Sequence, residues 1–173
     1  STGKYVVVFD VDDTICKGFD IDESAPPEQS WPECQRILWI RKETGDRHQY
    51  IFLPYLRILF EYLLEHGVRI ALFTAGHKER NLSLLPELLQ SYWGFNKYEE
   101  LKSEAQFAIY SVDDLRKANE EKQEYGNSVK DLRKVIRDGE SLSDIILVDD
   151  DQSYPVYDQK LFIVVMSLYY AWR

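Results

Sequence analysis

The sequence predicts an α/β protein built on a central parallel β-sheet with helices on both faces. Short apolar runs rich in β-branched residues occur without polar alternation, as in strands that are buried on both faces. Segments with helical spacing of apolar residues separate these runs, which is the order typical of parallel sheets. The chain has 173 residues, of which 45% are hydrophobic, and this is enough for one packed domain.

The first half of the chain contains two predicted strands of this sheet, with an insertion between them. Residues 5–9 form the first strand, and residues 68–73 form the second. Residues 17–35 are polar and contain three prolines, so we expect a loop there. Residues 36–53 contain two β-type runs joined by a turn, which predicts a β-hairpin flap. Residues 54–66 are predicted to be a helix that begins at a proline and ends before a glycine.

The second half completes a predicted sheet of five strands. Residues 113–125 are strongly charged, and we interpret them as a solvated helix, with a substrate-docking element as the alternative. The other predicted elements are a helix over 78–91 with a kink at Pro86, a strand over 106–110, a helix over 130–138, and strands over 144–148 and 161–165.

Composition limits the functions that the chain could have. A formal net charge of −9 argues against a nucleic-acid-binding protein, and it means that an anionic substrate must be met by local positive groups. Two cysteines, Cys16 and Cys34, are too few for a disulfide framework, so we expect reduced thiols. Cysteine-based phosphatases carry an arginine six positions after the cysteine, whereas here those positions hold Asp22 and Ile40.

The sequence contains neither a recognisable signal peptide nor an apolar run long enough to span a bilayer. We therefore expect a cytoplasmic location and no membrane segment within the chain. We also expect a single domain over residues 1–173, in a chain that could itself be part of a longer protein.

Polar side chains follow the predicted strands at the points where those strands end. The carboxyl ends of parallel strands meet at one edge of a sheet, and ligands bind there. Three strands and a neighbouring loop thus bring carboxylates, a hydroxyl and an amine to one place: Asp10 and Asp12 after the first strand, Thr74 after the second, Lys130 before the fourth, and Asp149 and Asp150 after it.

This combination of groups is suited to phosphoryl transfer. Neighbouring carboxylates repel one another and need a cation, and hard oxygen ligands favour Mg²⁺. One carboxylate can attack phosphorus and form an aspartyl-phosphate, while a second exchanges protons with the leaving oxygen and with water. A hydroxyl and a lysine can bind the transferring phosphoryl group. Each group alone has an ordinary structural explanation as a turn, a cap or a surface charge, so the prediction depends on their combination.

Two other aspartate-rich sites fit the sequence less well. An EF-hand calcium loop requires glycine and glutamate where this chain has Ile15 and Ile21. Receiver domains of two-component signalling also combine acidic residues, a threonine and a lysine, but there the lysine comes last. Here the order along the chain is Asp10, Thr74, Lys130, and then Asp149 with Asp150.

That order resembles the haloacid dehalogenase superfamily across residues 5–165. Asp10-Val11-Asp12-Asp13-Thr14 is similar to its first motif, Phe73-Thr74-Ala75-Gly76 to its second, Lys130 to its third, and Asp149-Asp150 to its fourth. The resemblance implies a Rossmann-like sheet. It is greatest to two branches, the small phosphatases of the polymerase C-terminal domain and the magnesium-dependent phosphatases, in which a small β-hairpin replaces a large cap. Where the former have Asp-Asn-Ser-Pro, this chain has Asp149-Asp150-Asp151-Gln152.

The resemblance also implies a role for each site residue. It makes Asp10 the nucleophile and a metal ligand, and Asp12 the general acid/base and a ligand through its backbone carbonyl. It makes Thr74, Ala75, Lys130 and the backbone N–H of Asp13 phosphate-binding groups, Asp150 a metal ligand, and Asp149 a supporting residue that positions Lys130 or a metal-bound water.

An open site under a small flap suggests a phosphoprotein substrate. Aromatic and basic residues in the segments expected to border the cleft slightly favour phosphotyrosine: Trp31, Trp39, Tyr50, His77 and Arg80. Packing of Trp39 and Tyr50 within the hairpin is the plainer explanation of those two. Phosphoserine or phosphothreonine and small phosphorylated metabolites are the alternatives, and a catalytically silent binding domain is the alternative from another functional class.

Overall fold

The structure, a computed structural model, describes residues 5–20, 34–111, 116–117, 128–151, 162–165 and 167–168. Its β-strands are β1 (Val6–Phe9), β2 (Cys16–Asp20), β3 (Arg36–Ile40), β4 (Arg47–Phe52), β5 (Arg69–Phe73), β6 (Phe107–Tyr110), β7 (Arg116–Lys117), β8 (Ser128–Val129), β9 (Ile145–Asp149) and β10 (Phe162–Val164). Its α-helices are α1 (Leu56–Glu65), α2 (Lys78–Trp93) and α3 (Phe95–Ser103), and two short 3₁₀ turns cover Leu132–Lys134 and Leu142–Asp144.

The central sheet has the strand order β10-β9-β1-β5-β6, and every adjacent pair is parallel. The chain starts in the middle at β1, extends to one side through β5 and β6, and then crosses to β9 on the other side. This change of direction places a crevice between the carboxyl ends of β1 and β9. The structure therefore confirms the predicted α/β class with a parallel sheet.

The two faces of the sheet are covered in different ways. Alternate residues of each strand point to opposite faces, so Val6 and Val8 lie in one apolar cluster and Phe9 lies in another. The Phe9 cluster contains the buried apolar side chains of α1, α2 and α3. The opposite cluster is closed by Leu132, Val135 and other residues in and next to the short 3₁₀ turns. Among the described elements, the α-helices thus cover one face, whereas we had expected helices on both.

The predicted helix over residues 130–138 is wrong, because only Leu132–Lys134 form a helical turn, of the 3₁₀ type. Asp131 has an extended backbone, and its side chain accepts a hydrogen bond from the backbone N–H of Arg133 at 3.1 Å. This capping contact begins a new turn and excludes Lys130 from it. Arg69 then ties the end of the segment to β5, since its guanidinium donates to the Val135 carbonyl and to Glu140.

The predicted hairpin flap is present as β3 and β4, but it has a third strand. β2 pairs antiparallel with the other edge of β4, and this gives the strand order β2-β4-β3. The expectation of a loop over 17–35 is therefore wrong for residues 17–20, which belong to β2, and residues 21–33 lie outside the described part of the chain. Gly18 faces Tyr50 in this pairing, and a Cβ at Gly18 would lie 2.9 Å from the Tyr50 ring. The glycine therefore leaves room for the buried tyrosine.

Helix boundaries differ from the sequence expectations in two places. Helix α1 begins at Leu56 and not at Pro54, because Tyr55 has a left-handed backbone with φ of 64°. Helix α2 continues through Pro86 to Trp93. Proline removes one helical hydrogen bond, but four buried leucines on both sides of it hold the helix against the sheet: Leu84, Leu85, Leu88 and Leu89.

The charged segment is described only in part. Arg116–Lys117 pair antiparallel with Ser128–Val129, so these residues form strand and not helix, and the rest of 113–125 lies outside the described residues. Both cysteines are free thiols, as expected. In the residues that the structure describes, no helix is both long and apolar enough to cross a bilayer.

Candidate active site

The residues predicted from the sequence come together at the carboxyl edge of the sheet. Asp10 directly follows β1, Thr74 follows β5, Asp149 ends β9, and Lys130 follows β8. After β1 the chain turns sharply, because the N–H groups of residues 14 to 16 all approach the Val11 carbonyl within 3.3 Å. This tight turn brings the residues that follow Asp10 back over the end of the strand.

Asp10 is held from both of its carboxylate oxygens. Its side chain is almost buried, and its backbone N–H donates to the Val148 carbonyl at 2.9 Å, which fixes the residue against β9. Lys130 Nζ donates to Asp10 Oδ1 at 2.6 Å, and Thr14 Oγ1 donates to Asp10 Oδ2 at 2.7 Å. Asp10 therefore has a fixed orientation.

Lys130 is fully buried and lies between two carboxylates. Besides Asp10, its ammonium donates to Asp149 Oδ2 at 2.8 Å. Burial lowers the pKa of Lys130, but the negative charges of Asp10 and Asp149 more than offset this effect, so the pKa is raised. Burial also raises the pKa of Asp10, although the nearby ammonium opposes the shift. The two shifts have different main causes, namely burial for Asp10 and the two neighbouring carboxylates for Lys130.

Asp10, Asp149 and Asp150 form a cluster that could hold a metal ion. One carboxylate oxygen from each lies within 4.8 Å of the others. All three donors are hard anionic oxygens, and the side-chain contacts described above supply only one positive charge, so the cluster fits a hard divalent cation. Asp149, like Asp10, accepts hydrogen bonds at both oxygens: its Oδ2 accepts from Lys130 and its Oδ1 accepts from the N–H of Asp151 at 3.0 Å.

Thr14 links two members of this cluster, and the sequence expectations did not include it among the site residues. Its hydroxyl lies 3.1 Å from Asp150 Oδ1 and accepts a hydrogen bond from the Asp150 backbone N–H at 3.1 Å, in addition to its bond to Asp10. Its place as the last residue of the Asp-x-Asp-x-Thr motif was the available signal.

Asp12 lies apart from the metal cluster and forms an ion pair with Arg80. The two terminal guanidinium nitrogens of Arg80 each contact one carboxylate oxygen, with Nη2 at 2.8 Å from Oδ2. Thr74 Oγ1 lies 3.4 Å from the same oxygen and accepts a hydrogen bond from the Gly76 N–H at 3.0 Å. Asp12 and Thr74 are thus neighbours on the β5 side of the crevice, and their expected roles as acid/base and phosphate-binding hydroxyl stay predictions.

Asp13 was expected to bind phosphate through its backbone N–H, and that role stays a prediction. Its backbone is left-handed, with φ of 63°, and its N–H donates to the Cys16 carbonyl at 2.7 Å. That N–H is therefore engaged within the turn in this structure. Ala75, also expected to bind phosphate, follows Thr74 in the loop before α2.

The aromatic and basic residues expected to border the cleft do not form one common surface among the described residues. Trp39 stacks against His48 with ring centroids 5.7 Å apart, and its Nε1 donates to Ser83 Oγ at 3.1 Å, so it packs the flap against α2. Tyr50 is buried against Arg80, His77 immediately precedes α2, and Trp31 lies outside the described residues. Packing within the flap therefore accounts for Trp39 and Tyr50.

A cavity of about 620 Å³ lies well away from these carboxylates. It is lined by residues of α1, α2 and α3, including Leu64 and Trp93, and by Gln106 just before β6, towards the amino-terminal edge of the sheet. The chemically distinctive groups lie instead at the open carboxyl edge, and this edge is the candidate active site.

Comparison with known proteins gives a likeness of fold. Neither a family model nor a curated protein matches the chain. Among solved structures, the chain is similar to that of Fcp1, described as an essential RNA polymerase II CTD phosphatase, with a TM-score of 0.56 and 16% sequence identity. The match covers 95% of this chain and 42% of that one, so this chain spans less than half of the length of Fcp1. At this level of identity the likeness shows that the two proteins share a fold.

Proposed function

We propose that this protein is a phosphatase of the haloacid dehalogenase type, which hydrolyses phosphomonoesters with the help of Mg²⁺ and through an aspartyl-phosphate on Asp10. One observation carries the proposal. Asp10 is oriented by Lys130 and Thr14 beside the carboxylates of Asp149 and Asp150, at the switch point of the sheet. The shared fold with a CTD phosphatase supports the same class of reaction.

The site residues divide the reaction into two steps. In the first, an Asp10 oxygen attacks phosphorus, the bond from phosphorus to the leaving oxygen breaks, and Asp12 gives that oxygen a proton. In the second, Asp12 takes a proton from water, the water oxygen attacks phosphorus, and the bond to Asp10 breaks. Lys130 and the Thr74 hydroxyl bind the phosphoryl group and offset its charge throughout.

The residues that would hold Mg²⁺ are the side chains of Asp10 and Asp150 and the backbone carbonyl of Asp12. Asp149 would support the site indirectly, because its Oδ2 accepts a hydrogen bond from Lys130 and so helps to hold that ammonium beside Asp10. When bound, Mg²⁺ offsets the negative charge of the phosphate and of the surrounding carboxylates.

A phosphoprotein is the proposed substrate. The flap described here is a three-stranded sheet and not a large cap, and Fcp1 is described as acting on the C-terminal domain of a polymerase. Phosphotyrosine is the first class to test, and phosphoserine, phosphothreonine and small phosphorylated metabolites are the alternatives. Because Trp39 and Tyr50 are engaged in packing, an aromatic wall for phosphotyrosine would have to come from other residues. A panel of phosphopeptides decides between these classes.

The direct test is hydrolysis of an aryl phosphate by the wild-type protein with Mg²⁺, by the wild-type protein with EDTA, and by Asp10→Asn. We expect activity only in the first case. Asp138→Asn is the matched control, because Asp138 is an exposed aspartate of the same chain. Activity that survives EDTA or the loss of Asp10 would contradict the mechanism. A folded wild-type protein with no activity would favour the silent binding domain.

A further inference from the structure

Arg80 makes the most elaborate set of contacts near the site, and the reaction described above gives it no role. Its side chain is only 7% exposed, whereas that of Asp12 is 42% exposed. The guanidinium approaches both oxygens of Asp12 and also lies 3.3 Å from Thr74 Oγ1. In this ion pair the cation, Arg80, is buried and the anion, Asp12, is accessible. Asp12 can therefore contact a substrate, whereas Arg80 can act on the substrate only by way of Asp12.

Three parts of the chain fix the direction of this guanidinium. Asn81 Oδ1 accepts hydrogen bonds from Arg80 Nε at 3.0 Å and from Nη2 at 2.7 Å. The Asn81 amide in turn donates to the Gly76 carbonyl at 3.0 Å. On the side of the flap, the Arg80 guanidinium carbon lies 5.3 Å from the centroid of the Tyr50 ring, and the Tyr50 hydroxyl lies 3.5 Å from Nη1.

Two glycines leave the space that the arrangement needs. A Cβ at Gly76 would lie 2.3 Å from Arg80 Nη2, which no real contact permits, so any larger residue would displace the guanidinium. Gly18 leaves room for Tyr50 in the same way, because a Cβ at Gly18 would lie 2.9 Å from the Tyr50 ring. Sequence positions in the flap, in the loop after β5 and in α2 are thus all adapted to one buried cation.

We propose that Arg80 is a positioning residue for Asp12. This inference rests on the proposed function. The fork of Arg80 matches the two carboxylate oxygens, which a lysine could not do, and it holds the side chain beside Thr74 and away from the metal cluster. The two N–H bonds occupy two of about four lone-pair positions of the carboxylate, and the exposed part of Asp12 remains free to exchange a proton with the leaving oxygen. Tyr50 extends this support to the flap.

The test uses two substrates that depend differently on an acid. Phenyl phosphate needs a proton on its leaving oxygen, whereas p-nitrophenyl phosphate has a leaving group that departs well without one. If Arg80 acts through Asp12, Arg80→Ala lowers kcat for phenyl phosphate by about 100-fold, within the range of acid–base catalysis. For p-nitrophenyl phosphate we expect a loss below about 10-fold, with KM for both substrates changed little, because the phosphate-binding groups are intact.

A double-mutant cycle, and a second variant that displaces the Arg80 guanidinium, strengthen the test. The pair Asp12→Asn/Arg80→Ala should be no slower than Asp12→Asn alone, because both changes remove the same function. Gly76→Ala displaces the guanidinium without removing it, so it should show the same substrate dependence. This effect should become much smaller in the Arg80→Ala background, where only the 3.1 Å approach of the new Cβ to Asp12 Oδ2 remains. Arg57→Ala is the control, since Arg57 is an exposed helical arginine that pairs with Glu61.

The outcomes separate this inference from the proposed function. An inactive wild-type protein contradicts both. If wild-type activity depends on Asp10 but Arg80→Ala slows both substrates equally, or mainly raises KM, the proposed function stands and the positioning role is refuted. If Arg80→Ala does not fold, as judged by circular dichroism, Gly76→Ala and Arg80→Lys decide. Both must then lower kcat for phenyl phosphate selectively, and a uniform effect again refutes the role.

Discussion

Replacing Lys130 by methionine tests the electrostatics of the site without any assumption about substrate. The ammonium lies 2.6 Å from Asp10 and 2.8 Å from Asp149 and is fully buried. At an effective dielectric constant of about 20, each contact attracts by roughly 6 kcal/mol, and the cost of desolvating the ions cancels much of this gain. Removing one partner leaves the other charges uncompensated, so we expect the free energy of unfolding to fall by about 3–5 kcal/mol.

The assay is urea or thermal unfolding in EDTA at several pH values. For a chain of this length the loss corresponds to a fall in melting temperature of roughly 6–20 °C. Burial already raises the pKa of Asp10 and Asp149 in the folded protein, and losing the ammonium raises it further. A carboxyl group whose pKa is higher when folded destabilises the protein at high pH, so the deficit should shrink as pH falls through that raised range.

Lys134→Met is the matched control, because Lys134 is an exposed lysine only four residues away in the same segment. It should change the melting temperature little at any pH. The two variants could lose equal amounts of stability, or the loss of stability in Lys130→Met could be independent of pH. Either result would refute the view that Lys130 stabilises the fold by offsetting the charges of the buried carboxylates.

Three further predictions concern other contacts. Thr14→Val should weaken Mg²⁺ binding by about 10-fold or more in calorimetry, because it removes the hydroxyl that orients Asp10 and Asp150, whereas Thr14→Ser should retain binding. Arg69→Met should lower the free energy of unfolding by about 3–5 kcal/mol, because it removes the ion-pair partner of the nearly buried Glu140 side chain. Its kcat should change little, because Arg69 lies at the opposite end of β5 from Thr74. Cys34 should react with iodoacetamide before Cys16 does. Burial raises the pKa of both thiols, but it raises that of the fully buried Cys16 well above its ordinary value. Equal reaction rates of the two thiols in the folded protein would contradict this.

The strands and the residues that follow them were predictable because their signal is local. An apolar run such as 5–9 can be buried only as a strand or a helix, and its length favours a strand. Asp10, Thr74 and Asp149 then follow from the geometry of a parallel sheet. The structure brings these groups together as the sequence led us to expect, and their catalytic roles remain proposals.

The features that sequence missed depend on distant partners. β2 contains a glycine and charged residues, and it is a strand because the edge of β4 is available to pair with it. The segment after Lys130 has helical spacing of apolar residues, but the Asp131 cap and the Arg69–Glu140 pair hold it in short turns. Arg80 was expected to border the cleft, but its pairing with Asp12 could not be predicted, because the two residues are 68 positions apart in the sequence.

Trapping the phosphorylated protein tests the central claim most directly. Wild-type protein and Asp12→Asn are mixed with an aryl phosphate and Mg²⁺, quenched in acid and analysed by peptide mass spectrometry. We expect a phosphoryl group on Asp10 that hydroxylamine removes, and more of it in Asp12→Asn with a good leaving group, because the second step then lacks its base. Rapid turnover without a phosphorylated protein, or with the phosphoryl group on another residue, would contradict the assignment of Asp10 as the nucleophile.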